Sequence, residues 1–360
     1  MKEIIGTLKP YVPEEPAESV KQRLGVERLV RLSANENPYG TSSKVREAVI
    51  EYVANHDANL YPDGNASSLR TVLAKYWNVA EDQLVIGVGL DEVISMVNKT
   101  FITPGNSIVI SVPTFSEYAL NGLIEGATIR EVECIPETGQ YDFAAMRRAV
   151  DDTTRLVWIC NPNNPTGTYE SVEDIRAFIK TLPSTVLVII DEAYIDFVTS
   201  CDVPTARQLL DEFPNVFIMR TFSKAYGLAN YRVGYMMSSP ELANYIQTIR
   251  LPYNLNTLSQ VAAEAAFKDQ EFLQSTIQNN AAERDRWEQL LDELGATYYK
   301  SGANFIFMSV PNADNLADLW LSKGYQVRRG QRPNWLRVTL PTAEDGVVMR
   351  ELLREYMKNL

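Results

Sequence analysis

What most constrains the fold of this chain is a series of runs that are apolar at nearly every position. "QLVIGVG", "NSIVISV", "TRLVWIC", "STVLVIIDEAY", "NVFIMRTFSK" and "RVGYMMS" each end in a turn signal. Helical patterns such as "DEVISMVNKTF", "FSEYALNGLIEG", "SVEDIRAFIKTL" and "PELANYIQTIR" fall between or after them. A strand with one wet face alternates, whereas a strand apolar throughout is buried on both faces. The pattern predicts an α/β fold, with a large domain whose mostly parallel sheet is sandwiched by helices over residues 46–260. Single cores stop growing near ~250–300 residues, and the chain has 360, so a second unit is expected. "SQVAAEAAFKDQEFLQSTIQNNAAERDRWEQLLDELG" reads as long helix with one break. "NFIFMSV" and "WLRVTL" follow as short strands around the helical "NLADLWLSKG", which predicts a smaller α+β domain over 261–360. Residues 1–45 read as an N-terminal arm plus part of that small domain.

Composition removes several function classes. The net charge of −12 argues against a nucleic acid partner, which needs basic stripes. A small anion is still admissible, because a few converging arginines can dominate one pocket. No run of ~18 apolar residues predicts a membrane span, and the start is too broken by charge and proline for a secretory segment. Cys134, Cys160 and Cys201 show no metal spacing, which fits reduced thiols in a cytoplasm. His56 is the only histidine and sits in a polar stretch. That excludes the common zinc ligand sets and leaves a Ser–His–Asp site without support, so no metal is expected. Chemistry run by this chain needs a borrowed cofactor.

In open parallel sheets ligands sit beyond the carboxyl ends of the strands. After "VIGVG" come Leu90 and Asp91, where glycine and free helix N–H groups suit a phosphate, although capping alone would explain Asp91. After "LVWIC" comes "NPNNPTG", with more asparagine than a turn requires. Asp191 ends "VLVII", where a buried carboxylate is costly unless a cation meets it; helix capping is its plainer reading. "MRTFSKAYGLANYRVGY" then offers Thr221, Ser223, Lys224 and Arg232, which in isolation could be a solvated loop. Phosphate cradle, amide, carboxylate and lysine together are complementary to pyridoxal 5′-phosphate. Its aldehyde takes a lysine in a Schiff base, its ring nitrogen takes a carboxylate, and its phosphate takes arginine, hydroxyls and a helix start.

"CNPNNPTG", "DEAYIDF" and "TFSKAYGLANYRVGY" resemble the class I/II aminotransferases of pyridoxal-phosphate fold type I. "LKPYVP", "LSANENPYG" and "YPDGNASSLR" resemble their histidinol-phosphate branch, and the likeness covers nearly the whole chain. The resemblance implies that Lys224 is the Schiff-base lysine and acid/base and that Asp191 pairs with the ring nitrogen. Asn164 and Tyr194 bond the ring oxygen. Thr221, Ser223 and Arg232 hold the phosphate with backbone at Leu90 and Asp91, and Phe115 in "VPTFSEY" stacks on the ring. Tyr61 resembles the tyrosine that reaches the phosphate across a dimer interface. Asn37, Tyr61, Arg328 and Arg337 are assigned to substrate, the two arginines to its anionic group. Arg329 and Arg332 read as a solvated basic turn.

The activity so implied is transfer of an amino group from L-histidinol phosphate to 2-oxoglutarate in histidine biosynthesis, by a cytoplasmic homodimer with shared sites. Its partners would be small-molecule amine and keto-acid substrates. The chain departs from the branch pattern in three places. The loop between Arg328 and Arg337 is short, Leu340 and Pro341 follow "LRVT", and "PYVPEEP" lacks a Gly-Lys after its proline. These departures bear on substrate. Another fold type I aminotransferase, such as an aromatic one, or a phosphothreonine decarboxylase-like enzyme remains an alternative. A non-catalytic effector-binding module of the same fold is disfavoured by the complete cofactor set. A nicotinamide dehydrogenase is disfavoured by the missing third glycine in "GVGLDE".

Overall fold

Alternate residues of each central strand feed two different cores in the computed structural model, which describes residues 3–8, 14–202 and 204–360. Lys9 to Pro13 of the arm motif lie outside the described residues. The first strand, β1 (Val30–Leu32), belongs elsewhere. The large sheet is built from β2 (Leu84–Val88), β3 (Ser107–Val112), β4 (Thr128–Glu133), β5 (Thr154–Cys160), β6 (Leu187–Asp191), β7 (Val216–Thr221) and β8 (Val233–Met237). Their spatial order is β2-β8-β7-β6-β5-β3-β4. Pairings among β3 to β7 are parallel, and β8 runs antiparallel to both β2 and β7. Val157, Ile159, Val188, Ile190 and Ile218 enter one apolar cluster. Leu156, Trp158, Ile189, Phe217 and Met219 enter the cluster on the other face. Helix layers on both faces explain why these strands read as unbroken apolar runs. The polar edge strand β4 escaped that pattern because its residues are half-buried or exposed.

The predicted long helix appears as Thr257–Lys268 and Gln270–Glu293, broken at Asp269. Asp269 is fixed there by Ser42 Oγ and by Lys44 Nζ, the latter at 2.6 Å. Beyond it lie β9 (Thr297–Tyr298), β10 (Phe305–Ser309), β11 (Tyr325–Val327) and β12 (Trp335–Thr339). β12, β10 and β9 form an antiparallel sheet, and β1 pairs in parallel with β11. Leu32 of β1 is buried with Trp287, Trp320 and Leu336. The N-terminal strand β1 is therefore packed with elements from the C-terminal part of the chain.

This topology positions the site. β2, β5, β6 and β7 all point the same way, so Gly89, Asn161, Glu192 and Phe222 leave the sheet along one edge. The small unit brings β12 to that edge: Arg337 of β12 reaches Asn164 in the loop after β5.

Candidate active site

Asp191, the last residue of β6, is 3% exposed. Its Oδ2 accepts from the Tyr118 hydroxyl at 2.6 Å and its Oδ1 from the Ala193 amide at 3.0 Å. Burial pushes the carboxyl up to about 6, against the pull of both donors. Among the described residues no cationic side chain pairs with it. Burial and the neighbouring Asp191 charge raise the Tyr118 phenol well above its ordinary range, so Tyr118 is held as the donor. The Tyr118 ring stacks on Trp158 at 4.6 Å and meets Phe115 edge-on at 5.7 Å. Tyr118 is absent from the sequence-derived site, although it lies three residues after Phe115 in the same "VPTFSEY" stretch.

Lys224 enters the same cavity from the turn after β7, half-buried. Its Nζ donates to the Ala34 carbonyl at 2.9 Å and lies 5.7 Å from the centre of the Tyr194 ring. Burial, then Arg337 and Arg232, lower this amine to about 8. A lysine so placed is neutral far more often at neutral pH than a surface lysine, which a nucleophilic amine requires. The Tyr194 hydroxyl accepts from Asn35 Nδ2 at 3.0 Å, and burial carries its phenol up to about 12. Asn35 is a second residue that the motif reading left out, although it lies inside "LSANENPYG".

At one end of this cavity of about 470 Å³, Thr221, Ser223, Arg232 and the start of helix Gly89–Phe101 converge. Thr221 Oγ1 accepts from the Ser223 amide at 3.1 Å. Arg232 has a left-handed backbone, φ 55°, and donates to the Ala229 carbonyl at 2.9 Å and to Asp91 Oδ2 at 3.1 Å. Leu90 and Asp91 line the cavity, and the Asp91 carboxylate holds the arginine. Gly89 has φ 74°, and a Cβ there would lie 2.6 Å from Arg232 Nη2. Only glycine allows the arginine to lie across this helix start.

An adjoining cavity of about 1020 Å³ shares Lys224, Asn164, Tyr194 and Phe115 with the first and adds Arg328 and Arg337. Arg337 is buried. Its Nη1 donates to Asn164 Oδ1 at 2.6 Å, its Nη2 to the Ser33 carbonyl at 2.5 Å, and its Nε has no partner among the described residues. Burial lowers this guanidinium to about 10. Arg328 exchanges both backbone hydrogen bonds with Arg337 at 3.0 Å and is more exposed. Arg329 pairs with Asp318, and Arg332 donates to the Tyr299 hydroxyl; neither lines these cavities.

Two sequence-selected residues lie outside both cavities. Asn37 donates to the Ala225 carbonyl at 3.0 Å and accepts from the Tyr39 amide, so its amide braces the loop next to Lys224. Tyr61 is 81% exposed and stacks on Tyr253 at 4.7 Å. Neither faces the lysine within one chain.

A family model described as aminotransferase class I and II matches residues 27–354. A histidinol-phosphate aminotransferase of Limosilactobacillus fermentum is 50% identical over 99% of each chain. One from Lactiplantibacillus plantarum is 48% identical, again over 99% of both. Among solved structures, histidinol-phosphate aminotransferase from Sinorhizobium meliloti in complex with pyridoxal-5′-phosphate matches with a TM-score of 0.88 at 26% identity, covering 100% of this chain and 98% of that one. Aspartate aminotransferase from Thermus thermophilus with maleate shares the fold, with a TM-score of 0.82 at 21% identity over 100% of this chain and 99% of that one.

Proposed function

Since this chain belongs to the class I and II aminotransferase family, we propose that it is a pyridoxal-phosphate-dependent enzyme moving the amino group of L-histidinol phosphate to 2-oxoglutarate. The observation that carries the reading is one pair of joined cavities holding Lys224, the cation-free Asp191 and the half-satisfied Arg337. The near-full-length likeness to histidinol-phosphate aminotransferases supports the choice of amine.

The residues present fit the cofactor. A buried carboxylate pushed upward by desolvation, with no cation beside it, matches a protonated ring nitrogen. Asn164 and Tyr194 would hold the ring oxygen, Phe115 would cover a ring face, and Thr221, Ser223 and Arg232 would hold the phosphate with the amides at Leu90 and Asp91. When bound, pyridoxal phosphate supplies an electrophilic carbon for primary amines and an electron-withdrawing ring. Lys224 contributes an amine that is readily neutral and can take up and return a proton at Nζ. Asp191 would keep a positive charge on the ring nitrogen by proximity. Arg337, with Arg328 beside it, would seat the substrate's anionic group. A guanidinium pair suits a phosphate because its planar fork makes paired contacts that an ammonium cannot.

The site is proposed to be shared in a homodimer, which is supported by the exposed Tyr61–Tyr253 stack and by exposed Leu60 and Leu251. Placement in a reducing cytoplasm is supported by the unpaired Cys134, Cys160 and Cys201. Among the described residues no helix is long and apolar enough to cross a membrane.

The test compares kcat/KM for histidinol phosphate, unphosphorylated histidinol and aromatic amino acids, and assays carbon dioxide release from phosphothreonine. Histidinol phosphate should lead. Arg337→Ala should lower kcat/KM on it by roughly two to three powers of ten, since losing one partner of a desolvated charge pair costs ~2–5 kcal/mol. The loss on unphosphorylated histidinol should be much smaller. An aromatic amino acid outrunning histidinol phosphate would overturn the assignment.

A further inference from the structure

Three consecutive residues of the N-terminal segment each accept a hydrogen bond from a different part of the chain. Arg337 Nη2 donates to the Ser33 carbonyl, Lys224 Nζ to the Ala34 carbonyl and Asn304 Nδ2 to the Asn35 carbonyl. Asn35 is 1% exposed and takes a left-handed backbone, φ 57°, which asparagine tolerates better than most residues. Its side chain is held at both ends. The Asn35 backbone amide donates to Thr339 Oγ1 at 3.0 Å, and the Thr339 hydroxyl donates to Asn35 Oδ1 at 3.1 Å. With the oxygen end so engaged, the nitrogen end meets the Tyr194 hydroxyl and donates to it at 3.0 Å. The phenol therefore receives a hydrogen bond on this side and keeps its own hydrogen to give. Burial holds that phenol protonated, against the pull of Arg337 and of the Asn35 bond.

We propose that Asn35 is a positioning residue that sets the direction of the Tyr194 hydrogen bond, keeping the phenol a donor toward the ring oxygen of the cofactor. The inference rests on the reading of Tyr194 as a partner of that oxygen. Its force lies in which groups are able to donate. An amide nitrogen only donates, so the Tyr194 oxygen is kept an acceptor toward Asn35. An acceptor in the same place would take the phenol hydrogen, and the ring oxygen would lose it. That loss matters because a hydrogen bond to a charged oxygen is roughly twice as strong as one between neutral groups. Thr339 ends β12 and Asn304 precedes β10, so the small unit sets this direction from the far side of the cavity.

The measurement is the Kd of the cofactor-free full chain for pyridoxal phosphate and for 3-deoxypyridoxal phosphate, which lacks the ring oxygen, by fluorescence titration. Tyr194→Phe should weaken pyridoxal phosphate roughly tenfold or more and the deoxy compound less than about twofold. Asn35→Ala should weaken pyridoxal phosphate about threefold to tenfold and leave the deoxy compound within about twofold. Asn35→Asp keeps the shape but only accepts when ionised, so it should weaken pyridoxal phosphate more than Asn35→Ala does. In a Tyr194→Phe background Asn35→Ala should cost less than about twofold for either compound, because no phenol is left to steer. Thr339→Val, which frees the oxygen end of the amide, should act in the same direction as Asn35→Ala by a smaller factor. Equal weakening of both compounds by Asn35→Ala, a loss that persists in the Tyr194→Phe background, or unchanged affinities would make Asn35 a packing residue and overturn the proposal. Discrimination by Tyr194→Phe with none by the Asn35 and Thr339 variants removes the role of Asn35 and leaves the reading of Tyr194 standing. A Tyr194→Phe protein that treats the two compounds alike removes both.

Discussion

Lys224 is unusual among the lysines of this chain because burial and two nearby arginines all act against its charge. Its replacement by alanine should abolish amino transfer without unfolding the protein, as its single hydrogen bond to Ala34 is a small part of the local packing. Borohydride reduction of the cofactor-loaded wild type, followed by peptide mapping, should place the pyridoxyl group on Lys224; a label on another lysine would refute the assignment. Tyr118 acts through its neighbour. Asp191 is carried up to about 6 by burial, and the Tyr118 hydroxyl resists that rise by stabilising the charged form. Tyr118→Phe keeps the burial and removes a donor, so the Asp191 pKa moves further upward. In its proposed role opposite the ring nitrogen, Asp191 must be ionised for cofactor binding, which should therefore fade as pH falls through that pKa. A hydrogen bond to a charged group contributes about 1.5–3 kcal/mol, so the acid-side loss of cofactor affinity should begin roughly one to two pH units higher in the variant. Binding titrations of cofactor-free protein from acid to neutral pH check this, and superimposed curves would leave Tyr118 a packing residue only.

At the scale of elements, the phosphate end depends on how closely helix Gly89–Phe101 approaches β8. Gly234 of β8 pairs with Gly87 of β2, and a Cβ at 234 would lie 2.8 Å from the Leu90 amide nitrogen and 2.9 Å from the Gly89 carbonyl carbon. Backbone cannot yield as a side chain does. Gly234→Ala should displace the helix start, cost about 1–3 kcal/mol of stability as overpacking, and weaken cofactor binding roughly tenfold or more, because the same amides are the ones proposed to cradle the phosphate. Thermal melts with and without cofactor separate the two effects. A variant with a lowered melting temperature but wild-type cofactor affinity would show that the helix start tolerates the shift. Asp269 illustrates the same scale on the structural side: it ends one helix and precedes the next while tied to Ser42 and Lys44.

For the molecule as a whole, Tyr61 and Lys224 do not share a cavity within one chain. In the proposed homodimer Tyr61 serves the neighbouring site. Mixing Lys224→Ala with a crippled Tyr61→Ala protein under subunit exchange should then restore activity, because one site of each heterodimer has both residues intact. Full exchange with no recovery would mean that each chain builds its site alone. The small unit acts at this scale too. β12 carries Arg337 to Asn164, and β1 pairs with β11, so residues from both ends of the sequence meet residues from its middle.

Apolar runs with helical intervals were enough to read the doubly covered sheet, because burial on both faces leaves its mark at every strand position. The residues closing those strands were legible for the same reason: Asp191, Lys224 and Arg232 interrupt an apolar pattern at an energetic cost that folding does not require. Family motifs extended that reading to Asn164, Tyr194 and Arg337. Contacts between distant segments could not be read. Tyr118 looks like an ordinary aromatic until the fold sets its hydroxyl on Asp191, and Asn35 like an ordinary loop amide until it meets Tyr194. Asn37 was read toward substrate, and its observed bonds go to the Lys224 loop. Glu14 lies in the arm with no motif to mark it. Only the tertiary structure set it among Arg31, Ser33 and Arg328, because the electrostatics of a site depend on distances through space, which spacing along a chain does not record.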